Sequence, residues 1–79
     1  MNEKKLKEDQ NFVIEARGHY STKMQLAVAL EEYFLKKYKI ADLHISFNSE
    51  MGDWTVSTTK HKLRAHYVES LPSLIQTVL

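Results

Sequence analysis

The chain has 79 residues, enough for one domain, and a domain of this size buries only about 60% of the surface its unfolded chain exposes. Eleven Lys and Arg against ten Asp and Glu leave a formal net charge of +1, too balanced to drive non-specific attraction to nucleic acid or membrane. The absence of cysteine excludes disulfides, cysteine-ligated metal and thiol nucleophiles together and favours a cytoplasmic setting.

Residues 1–10 carry charges of both signs, with Leu6 the one large apolar side chain after Met1. They are expected to form a flexible, solvated arm, and they lack the apolar core of a signal peptide. No run approaches the ~20 apolar residues of a membrane span, so no membrane partner is expected. A single folded unit is expected over 11–79. Phe12 to Arg17 reads as a strand, with Phe12, Ile14 and Ala16 on one side and Val13, Glu15 and Arg17 on the other. Gly18 ends it.

Thr22 to Lys39 reads as a long helix without Gly or Pro, rich in good helix formers. Thr22 and Gln25 have capping-box spacing. At about 100° per residue, Leu26, Ala27, Leu30, Phe34 and Tyr38 make one apolar stripe, and Met24, Val28 and Leu35 a second beside it. One stripe suits a sheet; the other needs a further cover.

Leu43 to Asn48 alternates, with Leu43, Ile45 and Phe47 against His44, Ser46 and Asn48, as a half-buried strand does. A turn at 48–53 leads to a second alternating segment at 54–59. Lys60-His61 is read as the next turn, after which Leu63, Ala65 and Tyr67 line a further strand; a helix over 62–68 is the competing reading. Ser70 and Pro72 mark a helix start. Leu71, Leu74, Ile75, Val78 and Leu79 then give a compact apolar face on a helix too short to stand alone in water. The Met24/Val28/Leu35 stripe is its expected acceptor. The fold class is therefore α+β: a two-layer β-α-β-β-β-α arrangement, mostly antiparallel, with a long helix and a short C-terminal helix packed on one face. A right-handed crossover is expected if the first two strands are parallel.

Two sets of residues stand out. Met24, Val28, Leu35, Leu71, Leu74, Ile75 and Val78 form an apolar surplus suited to another protein or to a second copy of the chain. Arg17, His19, Lys23, His44, Lys62, Arg64 and His66 form a basic-leaning set. Some sit at the glycine-containing junction before the long helix, where free N–H groups favour anions. The others lie on the expected outer sheet face with Glu15, Ser46, Asn48, Thr55, Ser57 and Thr59. Phe47, Trp54 and Tyr67 fall on the inward parity, so that face has no aromatic platform for stacking single-stranded bases. His19, His44, His61 and His66 lack the spacing of a metal site. No serine-hydrolase elbow, phosphate loop or carboxylate pair occurs. No catalytic residue, metal or cofactor is expected.

The leading functional expectation is a small non-enzymatic protein-interaction module, a regulator or inhibitor, acting through a helical apolar surface or a sheet edge. The alternative is a nucleic-acid-binding domain using the outer face. From Thr22 to Leu79 the α-β-β-β-α order resembles that of double-stranded-RNA-binding domains, in order of elements only. Those domains share a lysine-rich start to the last helix, where this chain has Glu69-Ser70-Leu71-Pro72. A third reading is a small nuclease of that shape using His44 or His66.

Overall fold

The computed structural model describes residues 3–79. Helix α1 (Glu3–His19) leads into α2 (Lys23–Tyr38), strands β1 (His44–Asn48), β2 (Asp53–Ser57) and β3 (Lys62–Ala65), a 3-10 turn (Val68–Ser70) and helix α3 (Leu71–Val78). The sheet is antiparallel in the order β1-β2-β3. The α+β class, the antiparallel sheet, the long helix and the short C-terminal helix all stand as expected.

The first element does not. Phe12 to Arg17 lies within α1, and so does the charged stretch expected to be a free arm, from Glu3 onward. Met1 and Asn2 of that arm lie outside the described residues. No Gly or Pro interrupts residues 3–17, and Glu3/Lys7, Lys4/Glu8 and Lys5/Asp9 have the i,i+4 spacing of stabilising opposite charges. The buried positions are Asp9, Val13 and Ala16, which is helical spacing. Their polar member conceals the period. Because this segment is a helix, no parallel strand lies beside β1 among the described residues, and the expected crossover does not form.

Helix α2 packs on β1 and α3 on β2, while α1 packs against α2, α3 and the 3-10 turn. The core joins Leu30 and Phe34 of α2, Leu71 and Ile75 of α3, Val13 and Ala16 of α1, and Ile45, Trp54 and Val56 of the sheet. Phe12, expected in a strand, stacks on Tyr33 of α2 at 3.8 Å between ring centroids and 7° between planes. The α1–α2 interface also contains a polar knot. Asp9 is fully buried and accepts hydrogen bonds from Tyr33 Oη at 2.8 Å, Lys37 Nζ at 2.6 Å and Tyr38 Oη. Gln76 of α3 donates to Tyr38 Oη at 3.2 Å, so three helices meet there. A buried carboxylate is tolerated only when paired and hydrogen-bonded in this way.

Helix α2 starts as its sequence indicates: Thr22 Oγ1 accepts from the Gln25 amide at 3.1 Å. It ends at Lys39, which adopts the left-handed conformation at φ 54° and donates its amide to the Leu35 carbonyl at 2.8 Å. One turn and one strand end differ from the expectation. The β2–β3 connection is closed by the Thr58 amide on the His61 carbonyl at 2.8 Å, which places Thr59 and Lys60 in the turn rather than Lys60 and His61. Strand β3 stops at Ala65. Tyr67 then faces solvent at 71% exposure, not the core, because the chain bends into the 3-10 turn.

Candidate functional site: a groove between α2 and the free edge of β1

Among the described residues, strand β1 is bonded to β2 on one side and to no strand on the other. In an antiparallel pair, alternate residues direct their N–H and C=O groups toward the partner strand. The Thr58 amide reaches the His61 carbonyl, so the even-numbered residues of β2 face β3 and the odd-numbered ones face β1. By the register His44↔Ser57, Ser46↔Thr55 and Asn48↔Asp53, the even-numbered residues of β1 bond β2. Ile45 and Phe47 therefore turn their peptide groups to the open edge. The Ile45 amide donates to Glu31 Oε1 of α2 at 2.8 Å, a side-chain cap on an edge position. Among the described residues, no side chain caps the Phe47 amide.

A concavity of about 470 Å³ runs along this edge. Lys23, Met24, Ala27 and Val28 form its helical wall, and Ile45, Ser46, Phe47 and Ser49 its strand wall. Met24 is 78% exposed and Val28 55%. A second concavity of about 490 Å³ lies across the same ridge, lined by Tyr20, Met24, Gln25, Val28, Ala29 and Glu32 among others.

The expected apolar surface thus divides. Met24 and Val28 are open. Leu35 and Leu74 pack against the core, Leu71 and Ile75 are fully buried, and Val78 is half-buried. The expectation that α3 covers the Met24/Val28/Leu35 stripe is corrected: α3 docks on β2 and α1 instead. Helix α1 sits where its buried face meets both other helices, and this turns α3 away from the N-terminal half of α2.

The basic set divides as well. The outer sheet face carries two cross-strand rows, His44–Ser57–Lys62 and Ser46–Thr55–Arg64, with His44, Lys62 and Arg64 exposed. Glu15 and Arg17, expected on that face, are on α1, and Thr59 is in a turn. His66 lies past the end of β3. His44 Nδ1 is 3.6 Å from Glu31 Oε1, the oxygen already engaged by Ile45. Arg17, Lys23 and His66 come together in a separate cleft of about 230 Å³. His19 is on the far side, in the wall of the second concavity.

Lys37 is the strongly perturbed cation. Burial alone would lower its ammonium, but hydrogen bonds to Asp9, Tyr33 and Glu8 outweigh burial and hold its pKa above the ordinary lysine value. Burial first, then the bond to Asp9, push the Tyr38 phenol up to about 12. The same two causes raise Tyr33. These groups are half-buried and bonded to one another around the fully buried Asp9, the pattern of a structural network.

Among the described residues, no group of three His, Cys, Asp or Glu side chains is placed to hold a metal ion, and no helix is long and apolar enough to cross a membrane. No protein-family model, curated protein or solved structure matches the chain.

The groove was half visible in the sequence. The Met24/Val28 ridge shows in the helical period. The free edge of β1 does not, because the Phe12–Arg17 segment reads as a neighbouring strand.

Proposed function

We propose that this protein is a non-enzymatic interaction module that binds an extended, apolar segment of another protein by strand addition to β1, as a small regulator or inhibitor. The observation that carries the reading is the meeting of two unsatisfied surfaces: the edge peptide groups of Phe47 and the exposed Met24/Val28 ridge beside them. Strand addition supplies main-chain hydrogen bonds, and pockets beside the edge take alternate side chains. A concavity of a few hundred Å³ is of the size that ordinarily holds a ligand group. The non-enzymatic part is supported by the histidines: the carboxylates beside His44 are committed elsewhere, Glu31 to the Ile45 amide and Asp42 to the amide and hydroxyl of Thr59. A cytoplasmic setting is supported by the cysteine-free composition.

The test uses six-residue peptides of alternating threonine and valine, carrying a short ethylene glycol tail for solubility. Saturable binding that is abolished by Val28→Asp, with the thermal midpoint nearly unchanged because Val28 is exposed, is the expected result. Failure of any such peptide to bind, or binding indifferent to Val28→Asp, contradicts the proposal. A concentration-dependent dimer in sedimentation that Val28→Asp dissociates would place a second copy in the groove and overturn the assigned partner.

A further inference from the structure

The groove does not end at Phe47. Lys23 and Phe47 line both it and the 230 Å³ cleft, with Lys23 Nζ 5.1 Å from the Phe47 ring centroid. Beyond that shared wall the cleft is bounded by Arg17, Trp54, His66 and Tyr67. Its one acidic member, Glu69, is engaged by Arg17 at 2.5 Å. Lys23 makes no ion pair among the described residues. At the other end of the groove stands the Glu31 carboxylate, on the Ile45 amide. Lys23 and Glu31 lie on α2, about 12 Å apart along its axis at a rise of about 1.5 Å per residue, and a strand rises about 3.3 Å per residue, so about four residues of a segment along β1 cover the distance between them.

We infer that the segment bound along β1 carries a carboxylate at its Phe47 end, received in the cleft by Lys23 and, in competition with Glu69, by Arg17. This inference rests on the strand-addition reading. Two sources of carboxylate fit: an Asp or Glu side chain, or a free chain terminus. Strand β1 runs from Ile45 to Phe47, so a C-terminal carboxylate reaches the cleft only if the segment lies parallel to β1. Both charges are at the surface, which makes the interaction salt-sensitive and useful for selecting and orienting the partner.

The chain has one tryptophan, Trp54, buried in the cleft wall, and its fluorescence reports binding. Three forms of the threonine–valine peptide, each with its solubilising tail at the N-terminus, separate the sources: a neutral amidated form, an amidated form extended by glutamate, and a neutral form with a free C-terminus. At least one carboxylate form is expected to bind about tenfold more tightly than the neutral form, a difference of about 1.4 kcal/mol. Lys23→Gln, which keeps most of the aliphatic stem, is expected to erase that preference, as is 0.5 M salt. Glutamate alone showing the gain assigns the side chain; the free C-terminus alone assigns a terminal, parallel segment. Equal binding of all three forms, unchanged by Lys23→Gln, contradicts the inference and leaves the groove standing. Failure of all three to bind contradicts both.

Discussion

Glu31 Oε1 accepts the Ile45 amide at 2.8 Å, joining the middle of α2 to the free edge of β1. Exposed strand edges invite pairing with other chains, and natural proteins guard them with charged side chains. Here one edge amide is guarded and the next, at Phe47, is not. Glu31→Ala is therefore expected to act in two opposite directions. Loss of a charge-assisted hydrogen bond lowers stability by about 1–3 kcal/mol, read from the urea midpoint. Removal of a competitor for the Ile45 amide tightens binding of the threonine–valine peptide, read by titration. A purely structural Glu31 would give the first effect without the second.

Asp9 organises the three-helix junction. Asp9→Ala leaves Lys37, whose side chain is 22% exposed, without its buried counter-charge and deprives two tyrosine hydroxyls of their acceptor. Removing one partner of such a pair costs about 3–5 kcal/mol, a large share of the roughly 4–12 kcal/mol expected for a domain of this length. A urea midpoint close to that of the natural chain would show that α1 is not held by this knot.

The same network sets the alkaline limit. Tyr33, Tyr38 and Lys37 all have folded pKa values raised above their ordinary ones. A raised value stabilises the protonated form, so the contribution is complete below about pH 10, the unfolded tyrosine value, and is lost as pH climbs through the folded values. For Tyr38 that means up to about 12. Stability is expected to hold from pH 8 to 10 and fall between 10 and 12. Tyrosine absorbance should show a late-ionising component, reaching about pH 12, that Tyr38→Phe removes. In Tyr38→Phe the fall should be shallower. Absence of that late component would contradict the network.

The alternation of β1 and β2, the inward placement of Ile45, Phe47, Trp54 and Val56, the Thr22 cap and the α2 stripes were legible because each follows a local period or a local hydrogen bond. Helix α1 was not. Its core-facing line runs through Asp9, a residue whose burial depends on Tyr33, Lys37 and Tyr38 from a distant part of the chain, and Phe12 to Arg17 alone alternates as a strand would. The same strand-like alternation conceals the proposed groove, since a strand there would pair with β1 and close its edge. Tyr67 misled for a related reason: its parity is that of a strand which has already ended at Ala65.

Pairing of a partner segment with the edge of β1 beside Met24 and Val28 bears on one backbone group above all. Hydrogen exchange of the Phe47 amide, followed by NMR with and without saturating threonine–valine peptide, addresses it directly. Exchange is expected to slow at least tenfold on binding, with the Met24 and Val28 side-chain resonances shifting together. A peptide that binds while the Phe47 amide exchanges at its free rate would contradict strand addition at this edge.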